Sequence, residues 1–180
     1  TSFAQQSSLL LTNEEANWLK ENKALIQYAP NPSWAPGDYI DSSGTHQGIV
    51  ADYIKIFEKN LGFQFNQVRF DTWQEVLAGI KEGKADFVGA IQPTPERLKF
   101  LLFTEPFLDV PIVILVREDY KSNLSDVEIS NMKPASVKGY TSTNFVKDKY
   151  HPKAIEVFND DFSALTSTSL GNTDGTITDL

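Results

Sequence analysis

An α/β fold of two lobes is what this sequence predicts, and three observations carry that reading. Between residues 24 and 91 the hydropathy pattern runs β-α-β-α-β, the order that builds a parallel sheet with covering helices. After residue 134 the same order starts again, in residues that are not alike in sequence. Between the copies lies "VPIVILV" (110–116), a long apolar strand leading into the polar segment "YKSNLSDVEISNMK", where one lobe would hand over to the next.

Each element has a local reason. Residues 1–10 are rich in Ser and Gln and read as a disordered leader. "LTNEEANWLKENK" reads as a helix, with Thr12 as N-cap and Glu15 three residues on, a capping box. "ALIQYAP" is a strand ended by proline, and residues 31–47 are turn-rich. "GIVADYIKIFEKNLG" is a helix whose apolar face is read as Ile49, Tyr53, Ile56 and Phe57, with Gly62 at its C-terminal cap. "FQFNQVRF" alternates like a strand. "DTWQEVLAGIKEG" places Trp73, Val76, Leu77 and Ile80 at helical spacing, and "ADFVGAI" is a third, mostly apolar strand. In the second copy "ASVKGY", "AIEVF" and "GTITDL" are strands. "TSTNFVKDKY" and "DFSALTSTSL" are helices, the latter weakened by its Ser and Thr, which favour caps and turns.

Composition narrows the function classes. Sixteen basic against 24 acidic residues give a formal net charge of −8, which argues against nucleic acid and anionic membrane surfaces as partners. With no cysteine, disulfides, thiolate metal sites and a cysteine nucleophile are excluded. His46 and His151 show no metal-ligand spacing, and no P-loop, G-x-G-x-x-G or G-x-S-x-G string occurs, so no metal or cofactor is expected. "VPIVILV" is too short to span a bilayer. The chain opens without methionine, as a processed product or an excised piece would.

One short stretch raises a chemical question. In "IQPTPERLKF" (91–100), Thr94 reads as an N-cap and Pro95 as the first helical residue. Arg97 then stands in the first turn, where an unpartnered cation costs about 0.3–1 kcal/mol against the helix dipole. It needs an anion: a carboxylate of the chain, such as Glu105 or Asp109, or one carried by a ligand.

The strings "LTNEEANWLKEN", "PSWAPGDYIDSSGTHQGIVADYI", "TWQEVLAGIKEGKADFVGAI" and "PTPERLKFLLFTEPF" together resemble the bacterial periplasmic solute-binding proteins of family 3, the amino-acid-binding, Venus-flytrap type. The opening "LTNEEANWLKEN" is similar to the extracellular sensor domains of hybrid histidine kinases and related transmembrane sensors. The likeness runs from about residue 11 to 180 and is looser after about 117. It implies a periplasmic-binding-protein-like (type 2) clamshell: lobe one with a first hinge strand at 11–117, and lobe two at 118–180. The family's return to lobe one through a second hinge strand is not found by Leu180, so lobe two is expected to be truncated and marginal. "VPIVILV" would lack its partner, which would favour dimerisation through that edge.

The resemblance also implies site residues. In the family the arginine of "TPER" holds the ligand's α-carboxylate, and Arg97 matches it; Asp179 matches the aspartate that takes the ammonium group. Ala90 and Gln92 stand where hydroxyl residues are usual, and each is otherwise a plain strand-end residue. Ser142 and Thr143 would offer hydroxyls at a helix start, or act as ordinary caps. Gly37 replaces the usual stacking aromatic after Pro36. Trp34 would compensate, unless it packs on its own loop, and Tyr39 is a further candidate in the same loop. The implied activity is binding of an amino acid or small carboxylate without chemistry, in the bacterial periplasm or extracellular space. The partner would be the membrane-spanning part of a sensor, or a transporter if the protein is free. A dehydratase-like enzyme on the same scaffold and an inert interaction domain whose cleft has drifted are the remaining alternatives.

Overall fold

The computed structural model describes residues 11–120 and 124–179, so the expected leader at 1–10 lies outside the described residues. The chain divides into two compact units: residues up to Asp71 with Glu75–Ile91, and Thr72–Gln74 with everything from Gln92 onward. The hand-over thus falls after Ile91, not at the expected 117/118, because the apolar strand at 112–115 pairs within the second unit.

In the first unit, α1 (Asn13–Asn22) starts with the expected capping box: the Glu15 amide donates to Thr12 Oγ1 at 3.2 Å, and the Thr12 amide donates to Glu15 Oε2 at 2.7 Å. The Thr12 amide, joined by the Thr12 hydroxyl at 2.8 Å from the same oxygen, holds the Glu15 carboxyl below its ordinary range. Three parallel strands were expected. Two form, β1 (Gln27–Tyr28) beside the later strand at Asn66–Gln67, and the third, expected at 85–91, is reduced to a single parallel bridge from Tyr28 to Phe87. The turn-rich segment 31–47 folds into an antiparallel meander of β2 (Ser33–Trp34), β3 (Asp38–Ile40) and β4 (His46–Gln47). Its fastening is buried: His46 Nε2 lies 2.5 Å from Asp38 Oδ1, while Asp38 Oδ2 accepts the Asn31 amide at 2.9 Å. Tyr28 Oη stands 3.4 Å from the same ring nitrogen, and burial plus the Asp38 charge push that phenol upward.

Helix α2 (Ile49–Leu61) corrects the sequence reading. Its inward residues are Val50, Ala51 and Ile54, whereas Ile49, Tyr53, Ile56 and Phe57 are exposed. The helix carries two overlapping apolar arcs, and periodicity alone does not choose between them. β5 (Asn66–Gln67) and α3 (Trp73–Lys81) follow, with Trp73, Val76 and Ile80 buried as expected.

In the second unit, β6 (Ile112–Leu115) leads to α4 (Asp126–Asn131), β7 (Ala135–Val137), α5 (Thr141–Tyr150), β8 (Glu156–Phe158), α6 (Asp161–Ser169) and β9 (Thr176–Asp179). Helix α4 was not foreseen, although Ser125 and Glu128 form a capping box around its start. The strand order is β6-β9-β7-β8, with β7, β8 and β9 parallel and β6 antiparallel to β9. The expectation that "VPIVILV" lacks a partner is therefore corrected: Ile112 through Leu115 pair with Asp179 through Thr176. β6 is the outermost strand in that order, so its other edge carries no strand among the described residues. Ile129, Met132, Val146 and Ile177 form the core.

The Ser/Thr-rich α6 is a full helix because its hydroxyls are used internally. Thr168 Oγ1 lies 2.8 Å from both Thr173 Oγ1 and Thr176 Oγ1, and Thr176 Oγ1 donates to Ala164 O at 3.2 Å. Arg117 Nη1 donates to Thr168 O at 2.9 Å and Thr173 O at 3.1 Å, closing the helix end.

The core of the first unit offers a direct check. A Cβ built on Gly89 would stand 2.2 Å from Val50 Cγ1 and 3.1 Å from Tyr28 Oη. Val50 is buried and β-branched, so it has no cheap way to yield. Gly89→Ala is expected to destabilise the protein by about 1–3 kcal/mol, measured by urea unfolding.

Candidate ligand-binding site

The second unit gathers its chemistry at the carboxyl ends of three parallel strands, where α/β sheets bind ligands. β7 is followed by a tight turn, Lys138–Tyr140, and then α5; β8 by the start of α6; β9 by its own last residue, Asp179. Gly139 makes the turn possible, with φ of 87°.

Each residue of that turn has a task. The Gly139 carbonyl accepts Arg97 Nη2 at 2.9 Å. The Tyr140 hydroxyl donates to Asp161 Oδ2 at 2.6 Å, and the Thr141 hydroxyl donates to the Gln92 side-chain carbonyl. Ser142 is 0 % exposed, and its hydroxyl has no hydrogen-bond partner among the described residues. Thr143 instead shares a short hydrogen bond with Ser136, on β7.

Arg97 is 7 % exposed. The expected helix at "TPERLK" is only a three-residue 3-10 turn, Arg97–Lys99, so the dipole argument of the sequence reading lapses. Thr94 still acts as a cap, its hydroxyl accepting the Arg97 amide at 3.2 Å. The guanidinium donates to the Gln92 carbonyl at 2.8 Å and lies 5.9 Å from the centre of the Trp73 ring. Burial pushes its pKa downward. Among the described residues Arg97 forms no ion pair, so neither Glu105 nor Asp109 is its partner. A buried cation held by neutral carbonyls keeps an unmet demand for negative charge.

Two carboxyls complete the cluster. Asp179 Oδ1 is buried with no hydrogen-bond partner among the described residues, and burial raises the pKa of this carboxyl. Asp161, which the sequence reading missed, is pushed to about 6 chiefly by burial; the Tyr140 hydrogen bond opposes the shift, and the charges of Asp179 and Asp160 add to it. Its signal was its place, directly after a parallel strand and at a helix start.

Four of the eight site residues singled out by sequence thus stand in this cluster: Arg97, Gln92, Ser142 and Asp179. Thr143 is on the same helix start but is tied to Ser136. Trp34, Tyr39 and Ala90 belong to the first unit. Trp34 packs on its own loop and on the core of Tyr28, Val50 and Ile54: a Cβ at Gly37 would stand 2.7 Å from its Cζ3 atom. That contact explains why glycine follows Pro36. Ala90 packs on the same core, and Tyr39 is a half-buried meander residue. Among the described residues no group of three or more His, Asp and Glu is placed to hold a metal, and no helix is long and apolar enough to cross a membrane.

The Asp161 carboxyl makes stability depend on pH with a definite sign. Its folded pKa of about 6 exceeds its ordinary 3.8, so the folded state binds more protons between those values. Stability is fully present below pH 4 and is lost as pH rises through 6. Asp161→Asn should stabilise the ligand-free protein at pH 7.5 by on the order of 1–2 kcal/mol and leave it little changed at pH 4. Urea unfolding at the two pH values measures this.

The model of the bacterial extracellular solute-binding proteins, family 3, matches residues 26–171. Virulence sensor protein BvgS of Bordetella bronchiseptica is 22 % identical over 167 residues, covering 92 % of this chain and 13 % of that protein. A probable histidine-binding protein of Neisseria gonorrhoeae is 26 % identical over 118 residues, covering 65 % of this chain and 44 % of the other. The chain thus spans roughly a tenth of the BvgS proteins and under half of the histidine-binding relative. Among solved structures, the ancestral amino acid-binding protein AncCDT-1, a precursor of cyclohexadienyl dehydratase, has a TM-score of 0.81 at 24 % identity, over 91 % of this chain and 74 % of that one. This likeness shows the type 2 periplasmic-binding-protein fold. On the extent of the family match, the chain belongs to the bacterial extracellular solute-binding proteins, family 3.

Proposed function

We propose that this chain captures a small zwitterion, an amino acid, outside the cytoplasm, and that it serves as the input domain of a transmembrane sensor. The observation that carries the reading is Arg97: a buried guanidinium without a carboxylate partner among the described residues. A ligand carboxylate would meet two parallel N–H donors of its planar fork, with the Ser142 hydroxyl as a further donor. Asp179, with one buried oxygen unpartnered, would take the ammonium group. The likeness to BvgS supports the sensor role and a periplasmic location. The histidine-binding relative supports a second reading, a free solute-binding component of a transporter. In the sensor reading the partner is the membrane-spanning part of the same polypeptide, and binding would act by shifting a conformational equilibrium.

A thermal-shift screen of amino acids and small organic acids tests capture itself. A ligand at 100 times its dissociation constant should add about 2.7 kcal/mol of stability. Arg97→Lys keeps the charge but loses the planar fork. It should weaken carboxylate binding by at least tenfold in calorimetry, and unchanged affinity would remove Arg97 from the site. Asp179→Asn should weaken amino acids more than simple carboxylates of the same size, and equal loss for both would remove Asp179.

A further inference from the structure

Arg97 is held by a turn, and the turn is itself held by a third party. Residues 138–141 lead from β7 into α5, whose N-cap, Tyr140, makes no side-chain capping bond. Bonds reaching out of the helix start therefore have to place it. The Gly139 carbonyl accepts Arg97 Nη2 at 2.9 Å, and the Thr141 hydroxyl donates to the Gln92 side-chain carbonyl. Both of these run to the segment that carries the arginine. Tyr140, between them, runs to the sheet instead: its hydroxyl donates to Asp161 Oδ2 at 2.6 Å.

Sheet register brings these two residues together. β7 and β8 are parallel neighbours, paired as Ala135 with Glu156, Ser136 with Val157 and Val137 with Phe158, and the Lys138 amide donates to Phe158 O at 2.9 Å. The same offset of 21 positions, carried past the last pair, sets Tyr140 opposite Asp161. Tyr140 is buried at 7 % exposure, so its ring is held as well as its hydroxyl. Asp161 is not needed to start α6, because Asp160 is the N-cap and its Oδ1 accepts the Ser163 amide at 2.7 Å. The length of the Tyr140 bond is that of a hydroxyl donating to an ionised carboxylate.

We infer that Tyr140 and Asp161 are positioning residues for the arginine site: Asp161, acting through the Tyr140 hydroxyl, fixes the 138–141 turn, and with it the carbonyl that orients the Arg97 guanidinium and the helix start that carries Ser142. The inference rests on the amino-acid reading above and adds a proton linkage to it. The sign of that linkage is definite. A carboxylate accepts the Tyr140 hydroxyl in a charge-assisted bond, roughly twice as strong as the neutral bond left when the carboxyl is protonated. Burial holds the Asp161 pKa at about 6, so the stronger tie exists above that pH and the weaker one below it. Capture of a ligand carboxylate by Arg97 therefore strengthens as pH rises through 6. α6 packs on β7, β8 and β9, and the titratable groups those elements turn toward Asp161 are few. They are Tyr140 beyond β7 and Asp179 on β9, with Asp160 on its own helix. Glu156 of β8 is paired with Lys133 at 2.5 Å, and Lys138 beyond β7 is exposed.

Calorimetry on the 180-residue chain tests this. The twenty standard L-amino acids are screened first, and the tightest becomes the probe. Tyr140→Phe keeps the ring and removes the donor; it should weaken the probe about fivefold at pH 7.5 and less than about twofold at pH 5. Each comparison is with wild type at the same pH, so the titration of Asp179 enters both sides equally. Asp161→Asn keeps a neutral acceptor and guards against a folding defect in the first variant. At pH 7.5 it should weaken the probe about two- to threefold while urea unfolding finds it more stable than wild type. A contact that serves only the fold would move affinity and stability the same way. Wild-type affinity in Tyr140→Phe, an equal loss at both pH values, or a loss of affinity in Asp161→Asn matched by a loss of stability would overturn the inference while the amino-acid reading stands. If wild type binds none of the twenty, the amino-acid reading falls and this inference with it.

Discussion

A guanidinium is costly to strip of water, and this chain buries one on a turn of three residues. Much of the second unit's strand-end geometry answers to that burial. The positive φ of Gly139 shapes the turn whose carbonyl accepts one N–H of Arg97, and the Gln92 carbonyl accepts another. The Trp73 ring lies near the guanidinium. None of these partners is charged. Among the described residues the cation is held without a charged partner.

Rigidity behind the site comes from hydroxyls where apolar residues would be the usual choice. Thr168, Thr173 and Thr176 satisfy one another and the Ala164 carbonyl, so α6 sits on β9 with its polar groups paired inside. Arg117 ties the end of the same helix to the segment entering β9. The β6–β9 pairing covers one side of the strand that ends in Asp179. The acids at the strand ends are therefore presented by fixed backbone, which is what a carboxylate needs if burial is to raise its pKa rather than let it swing into water.

The first unit solves a different problem, a short and thinly paired sheet. It compensates with close packing around Tyr28: Gly89 lets Val50 approach, Gly37 lets the Trp34 ring lie on its own loop, and the Asp38–His46 pair fastens the meander from inside. The exposed face of α2, where Tyr53 and Phe57 have ring centres 6.3 Å apart, stands outside that packing.

Local signals were enough for the elements whose cause is local. The α1 capping box, the buried face of α3, the alternating elements after residue 134 and the Thr94 cap in "TPER" all follow from side chains a few residues apart, whose spacing sets a cap, a face or a turn. Tertiary structure decided the rest. It chose which arc of α2 faces inward, because that depends on a partner surface remote in sequence. It shortened the Arg97 helix to one turn and replaced a dipole with distant carbonyls. It gave "VPIVILV" to β9, and made the Ser/Thr run of α6 an interior network. It also brought Asp161 beside Tyr140 and within electrostatic reach of Asp179, residues that are 21 and 18 positions away along the chain. Long-range pairing, burial and charge–charge distance belong to the folded chain, and no spacing in the sequence encodes them directly.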